Sequence, residues 1–425
     1  MAVSRTEVAA DLNAHDSNPQ TRMRVLYIVS LFPCWSETFI VREIEQLLAR
    51  GVDVRIFSLK PSQEALVQSD ARALQQYVTY PASFSRNLRG VLRALWQYPK
   101  VAFGMLIRIL TARGLTLASR LKSIVVWWRV VGAADRLQSW DPNLIHAHWA
   151  TYPSTGAMIL SRMLEIPFSF TSHAHDIFLE QHLLQDKLLA ARFAVTISEY
   201  NRRLLRDLLP PPAQEKVHVI HCGIKPDELT YQEDNRDPEL LLAVGRLDEI
   251  KGFPILVEAC ARLRDRGARF RCEIIGEGPL RQNLQRAIDT NGLGTVVRLL
   301  GVLPHEEVRA RLYRAGVFVL PSVMTTQGNM DGIPVALMEA MACGTPVVST
   351  TVSGIPELID DGVNGYLVPP EDAEALADRL AKLLEDPGKR IAFARNAREQ
   401  VEHSFSVVTE TDKLQQLFTA TLGEH

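Results

Sequence analysis

Two carboxylates eight positions apart, Asp331 and Glu339, flank the start of an apolar run in GNMDGIPVALMEAMACGTPVVSTTVSGIPE (Gly328–Glu357). From Pro334 to Ala342 the run predicts a helix that is apolar on every face but for Glu339, hence a buried one. Pro334 suits its first turn, where the missing N–H would have no partner. A carboxylate on a buried helix needs donors, which a core arginine or the hydroxyls of a ligand can supply. Asp331 stands beside Gly332, which lets backbone approach a ligand closely. The entry Gly332-Ile333-Pro334-Val335 leads into the N–H groups of a helix end, a natural anion site. Two acids around an anion pole suit a polyol carrying phosphate, such as a nucleotide-sugar. The bland alternatives are a structural ion pair for Glu339 and ordinary helix-terminal favouring of acids for Asp331.

Further candidates lie at strand ends. Arg246 and Lys251 flank the loop of GRLDEIKG. Two cations there would neutralise a diphosphate and stabilise it as a leaving group; solvated surface charge is the alternative. His146 and His148, two positions apart, share one face of a strand, and His173-Ala174-His175-Asp176 ends the next. These side chains could contact a sugar, make structural hydrogen bonds, or hold a transition metal. Gly276-Glu277-Gly278-Pro279 is either a tight turn or a pocket wall. No D-x-D sequence stands out, and no metal site is expected.

Hydrophobic patterning supplies the elements that position these residues. Met23–Ser30 is a strand, Ser36 to about Arg50 a helix stopped by Gly51, and Val52–Leu59 a second strand. That is the opening of a doubly wound sheet, but it lacks G-x-G-x-x-G, so a dinucleotide in this half is not expected. Asn143–Trp149, Pro167–Ser172, Phe193–Ser198 and Val217–Gly223 continue as strands, with helices at Pro153–Glu165 and Glu199–Leu209. Lys225–Pro238 is polar and reads as a linker. A second α/β unit begins at Leu240, with strands at Arg269–Gly276, Val296–Leu300, Val317–Pro321 and Gly365–Val368. Helices cover Pro254–Arg266, Glu371–Leu384 and Gly388–Ser404. Strands alternating with helices in both halves imply parallel sheets.

Residues 84–140 interrupt this rhythm with ten Lys or Arg against one acid, Asp135, a local balance of +9. Arg86, Arg89 and Arg93 recur at helical spacing beside Leu88, Leu92, Leu95 and Trp96, and Trp127 and Trp128 add aromatic bulk. Such a helix can lie on an anionic membrane surface; a helical layer over the sheet, its arginines solvated, is the alternative. The chain has 425 residues, is 47% hydrophobic and carries a net charge of −2, which excludes a whole-protein nucleic-acid binder. Five cysteines without C-x-x-C argue against a disulfide framework and fit a reducing cytoplasm. Residues 1–22 read as a disordered leader without a secretory signal, and no apolar run reaches membrane-spanning length.

Asp331-x7-Glu339, followed by ACGTPVV and SGIPELI, resembles the E-x7-E signature of family-4 retaining glycosyltransferases, with Asp in place of the first Glu. GRLDEIKG resembles that family's diphosphate-binding loop, and His173-Ala174-His175-Asp176 resembles its H-G-x-D, with Ala in place of Gly. The LFP-x-x-SETF pattern is similar to a subgroup that builds bacterial exopolysaccharides such as colanic acid. The resemblance spans about Met23 to Ser404 and implies a GT-B fold of two Rossmann-like domains facing a cleft. Its parts would be an acceptor domain at 23–225, a donor domain at 226–404, and a helix at 405–425 packing back on the first domain. It implies that Asp331 and His173 orient the transferred sugar, Glu339 holds the ribose, and Arg246 and Lys251 stabilise the leaving diphosphate. Gly276 and Leu303 would line the nucleotide pocket. Implied partners are a nucleotide-diphosphate sugar and a polyprenyl-linked or growing glycan, with no cofactor and no metal. A GT-B epimerase or phosphorylase, or a non-catalytic sugar-nucleotide sensor, remains the alternative.

Overall fold

The computed structural model describes residues 23–34, 37–62, 72–179 and 181–423. The expected leader, 1–22, lies outside the described residues, as does Ser36 of the SETF pattern.

Two parallel sheets carry the chain. The first holds β1 (Arg24–Phe32), β2 (Asp53–Pro61), β3 (Val78–Thr79), β4 (Leu144–His148), β5 (Phe168–Ser172), β6 (Phe193–Thr196) and β7 (Val217–Val219). Its order is β3-β2-β1-β4-β5-β6-β7. The second holds β8 (Asp237–Val244), β9 (Arg271–Ile275), β10 (Val297–Gly301), β11 (Ala315–Leu320), β12 (Val347–Thr350) and β13 (Tyr366–Val368), in the order β10-β9-β8-β11-β12-β13. All registered pairs are parallel. The inner strands are buried along their whole length (β4, β5, β6, β11 and β12), because helices cover both faces. The strand order reverses at β1/β4 in one sheet and at β8/β11 in the other. Such switch points open a crevice at the carboxyl ends of the strands.

Some boundaries shift against the sequence reading. β8 begins at Asp237, inside the stretch read as linker, because Asp237 pairs with Ala315 of β11. The helix read from Pro334 runs Val335–Ala342, with Pro334 as its extended N-cap (ψ 123°). The last helix, Val407–Gly423, places Leu414 and Phe418 in the core beside Val25, Tyr27 and Phe193 of the first sheet. Arg50 clamps its start through the Asp412 carboxylate at 2.8 Å and the Val408 carbonyl at 2.9 Å.

The basic insert forms three helices, Phe84–Gln97, Pro99–Thr111 and Leu117–Gln138. Their inner faces (Val91, Met105, Ile109, Val126, Val130) join the core over the first sheet. Trp127 is a correction: it is buried, its indole N–H donating to the Ala102 carbonyl at 2.9 Å, so it adds nothing to an outer surface. Trp128 is half-buried and stacks on Phe84 at 5.5 Å. The outer face instead exposes Phe84, Leu88, Leu92, Trp96, Phe103 and Ile107. Several of the arginines make ion pairs or hydrogen bonds within the fold while staying partly exposed. Arg93 pairs with Asp135, Arg108 with Asp186, and Arg120 caps the carbonyls of Ile109 and Ala112.

Candidate active site

The first wall of the site comes from the second sheet. Lys251, at the end of the loop after β8, reaches both oxygens of Asp331 at 2.9 and 3.0 Å. Ser322, just past β11, donates to Asp331 at 2.9 Å. Lys251 and Asp331 are therefore brought together by the β8/β11 switch point. Arg246 lies in the same loop, 73% exposed, with Asp248 at 3.8 Å as its carboxylate partner. Burial raises the Asp248 carboxyl, with Lys251 opposing and Asp331 adding to the rise. Gly276, after β9, has φ +142°, and a Cβ there would stand 1.9 Å from the Gly245 carbonyl. Glycine thus lets the loops after β8 and β9 touch. Leu303 lies beyond β10 and packs partly buried on the core of this lobe.

The second wall comes from the first sheet. Gly332 lies against it: a Cβ at that position would meet Ile197 Cδ1 at 2.5 Å and Ala174 Cβ at 3.8 Å. The entry of the Asp331 segment thus meets the His173-Ala174 turn across the cleft. Ile333 and Pro334 are buried and Val335 half-buried at the same entry. Glu339 faces neither a core arginine of its own lobe nor open solvent. Arg42, on the first-lobe helix Thr38–Ala49, approaches its Oε1 at 3.5 Å, and both side chains are about one-fifth exposed.

His173 is buried between Phe39 (ring centroids 4.6 Å) and Trp149 (4.5 Å). Asp176 staples its backbone, accepting from the N–H groups of His173 at 2.9 Å and Ala150 at 2.6 Å. Burial pushes the Asp176 carboxyl up to about 6, against those N–H donors. Lys187, buried and pushed down to about 7 by desolvation, donates to the carbonyls of Ala150 and Thr151, both at 2.6 Å. Trp149 takes a left-handed backbone (φ 80°), a costly state for an aromatic residue, and its indole N–H reaches Glu37 at 3.1 Å.

The histidine cluster is a chain of hydrogen bonds. His146 has both ring nitrogens engaged, by Ser169 at 2.8 Å and Thr171 at 3.1 Å. Desolvation lowers it to about 3, so it is neutral. The ligand atoms of Glu43, His146 and His148 do lie within 4.8 Å of one another. A metal there would have to break the His146 bonds and the Glu43–His148 contact of 2.9 Å. His175 is exposed and apart from this chain.

Sequence reasoning passed over Phe39, Arg42, Glu43 and Trp149 as site residues, and gave Glu357 no more than a helix-capping reading. Phe39 ends SETF and Arg42 and Glu43 follow it on one helix, and Phe39 and Glu43 sit at i, i+4 on one face, a signal that was available. Glu357 reaches across the lobes to cap another helix, Glu199–Asp207, accepting from the N–H groups of Glu199 at 2.8 Å and Tyr200 at 3.1 Å. No local pattern reveals such a partner.

Comparison with known proteins agrees with this architecture. The family described as Glycosyltransferase Family 4 matches residues 36–228, and Glycosyl transferases group 1 matches 227–400. The amylovoran biosynthesis glycosyltransferase AmsK of Erwinia amylovora is 32% identical over 398 residues, covering 90% of this chain and 96% of that protein. The putative colanic acid biosynthesis glycosyltransferase WcaL of Salmonella typhimurium is 31% identical over 410 residues, with the same 90% and 96% coverage. Among solved structures, Anabaena Alr3699/HepE in complex with UDP and glucose superposes with a TM-score of 0.67 at 18% identity, covering 94% of this chain and all (100%) of that one. The lipopolysaccharide outer core galactosyltransferase WaaB, in apo form, gives 0.68 at 15% identity, with coverage of 94% and 100%. With two parallel Rossmann-like sheets facing a cleft and relatives matched over nearly their whole length, the chain belongs to the family-4 glycosyltransferases of GT-B fold.

Proposed function

We propose that the protein transfers a hexose, with retention of configuration and without a metal, from a nucleotide-diphosphate sugar to a lipid-linked or growing exopolysaccharide. The observation that carries this reading is the meeting of the two lobes, where Gly332, past β11, lies against Ala174 and Ile197, past β5 and β6. A donor lying along that seam would run its diphosphate past Arg246 and Lys251, its ribose toward Glu339 and its sugar toward His173. Lys251 already holds a carboxylate and can exchange it for phosphate oxygens, while Arg246 is free to swing. Asp331 is tied to Lys251 and Ser322, and Glu43 to Tyr27 and His148. With both acids engaged, attack of the acceptor hydroxyl on the leaving-group face is the favoured route to retention, the diphosphate taking its proton.

The acceptor class and the place of action rest on the insert. Its outer face joins exposed Phe84, Leu92, Trp96, Phe103 and Leu117 to exposed Arg86, Arg89, Lys100 and Arg113. No helix among the described residues is long and apolar enough to cross a membrane. Apolar side chains ringed by cations suit peripheral contact with the anionic cytoplasmic leaflet, where polyprenyl-linked glycans would be met. A thermal-shift panel of nucleotide-sugars tests the donor site, since a ligand bound only by the folded state raises Tm. One donor should raise it, and Glu339→Ala should abolish that rise while leaving the unliganded fold. Failure of every donor to shift Tm, or an unchanged shift in Glu339→Ala, would sink the reading. Product analysis with and without a lipid-linked acceptor separates transfer from epimerisation or mere binding.

A further inference from the structure

Glu43, His148 and His173 form a line of side chains, of which only His173 has been given a contact with substrate above. Glu43 Oε1 accepts the Tyr27 hydroxyl at 2.7 Å and lies 2.9 Å from His148 Nε2. His148 Nδ1 lies 3.3 Å from His173 Nε2, and His173 Nδ1 lies 3.8 Å from Cys222 Sγ. We propose that Glu43 is a positioning residue: acting through His148, it holds His173 with its proton on Nε2 and its Nδ1 free to accept a hydrogen bond.

Proton counting along the line gives this polarity. Glu43 Oε1 stands within hydrogen-bond reach of two donors, the Tyr27 hydroxyl and His148 Nε2, and as a carboxylate it can only accept. Tyr27 spends its single O–H proton on it. His148 Nε2 must therefore carry a proton as well. In a neutral imidazole that leaves a lone pair on Nδ1. His173 Nε2 must then donate to it, and His173 Nδ1 is bare. Burial holds His173 well below the ordinary histidine range, which keeps the ring neutral. Burial likewise pushes the Cys222 thiol up, so it stays S–H and points its weak donor at that nitrogen. Each donor meets an acceptor. The opposite polarity requires a second proton on His148, a cation on a side chain only 1% exposed.

The same helix also fixes the plane of the ring. Phe39 presses on one side of His173 and Trp149 on another. A cavity of about 20 Å³ adjoins, lined by His173, Cys222, Phe39 and Thr411 among others. That is room for one water or hydroxyl, which needs on the order of 10–15 Å³. A hydroxyl replacing the thiol at Nδ1 must donate to it. This last consequence rests on the reading of His173 as a sugar contact; the proton arrangement does not.

The test is long-range proton–nitrogen NMR of full-length protein labelled with ¹⁵N-histidine, with His148→Asn and His173→Asn assigning the signals. His173 should show a protonated Nε2 and a bare Nδ1. Glu43→Met, which removes the acceptor, should move the His173 proton to Nδ1, and Glu43→Gln, which keeps an oxygen, should restore the native pattern. In turnover, Glu43→Met should lower kcat roughly tenfold with donor KM within about threefold. A protonated Nδ1 in the wild type, or an unchanged pattern in folded Glu43→Met, would overturn the proposal. So would a rise in donor KM at constant kcat. If Glu43→Met does not fold, the wild-type pattern alone decides. Donor-induced Tm shifts in Glu43→Met keep this outcome separate from the glycosyltransferase reading.

Discussion

Arg42 and Glu339 stand on opposite lobes and meet at 3.5 Å across the cleft. The carboxylate proposed to hold the donor ribose is thus already held by the acceptor lobe. Donor hydroxyls would have to displace or share that guanidinium. Arg42→Ala should therefore tighten donor binding about two- to fivefold, the scale of a partly exposed ion pair of roughly 0.5–1 kcal/mol. Calorimetric titration with the donor found by thermal shift checks it. Weaker binding would show Arg42 to be a donor contact instead.

Lys251 and Asp331 are less exposed, at 17% and 13% of their side chains. Removing one partner leaves the other poorly compensated. Lys251→Ala should lower donor affinity more than tenfold by loss of a phosphate contact. It should also lower the unliganded Tm by about 2–4 °C, the shift expected from roughly 1 kcal/mol. Circular dichroism melts read the second effect and titration the first.

Asp176 accepts two backbone N–H groups from different loops. Asp176→Asn keeps one acceptor oxygen and turns an N–H₂ toward the other donor. A buried N–H left without a partner costs about 1–3 kcal/mol. The variant should melt lower and lose activity at unchanged donor binding, because the His173 backbone is released while the second lobe is untouched.

Glu357 sets an acid limit. Burial would raise its carboxyl, but hydrogen bonds from His221 and from the Glu199 and Tyr200 N–H groups bring it below the ordinary carboxylate value. A folded-state pKa below the unfolded one adds stability above the unfolded pKa. That stability is lost as pH falls through the depressed folded value. Glu357→Gln should thus melt below wild type at pH 7, and the gap should close on acidification below the carboxylate range. A constant gap across that range would refute the assignment.

The exposed apolar face of the insert can be tested directly. Leu92→Asp with Trp96→Ala should leave the fold intact, since both side chains are exposed at 58% and 82%. Binding to vesicles containing anionic lipid should drop about tenfold or more, each apolar side chain contributing on the order of 1–2 kcal/mol. Retained binding would remove the membrane from the functional reading.

Local patterning carried a large share of this molecule. Alternating strands and helices, the Asp331-x7-Glu339 spacing and the GRLDEIKG loop are contiguous features, and each depends on chemistry within a few residues of itself. Their legibility follows from periodicity: buried parallel strands must be continuously apolar, and a buried helix with one acid must advertise that acid. Boundaries slipped where a partner in another strand extended an element, as Ala315 does for Asp237. Trp127 was misplaced because a helix rich in both arginine and tryptophan does not state which face turns inward.

The amino-acid order was thus enough for family and fold, and it singled out Lys251 and Asp331, which the second sheet brings together. It was silent on Arg42 facing Glu339, on which helix Glu357 caps, and on the line from Glu43 to His173. Glu43 and His173 are 130 positions apart, Glu199 and Glu357 158, and Arg42 and Glu339 297, so they meet through space rather than along the chain. A charge gains its meaning from the charge it meets, and only the tertiary packing establishes which ones meet.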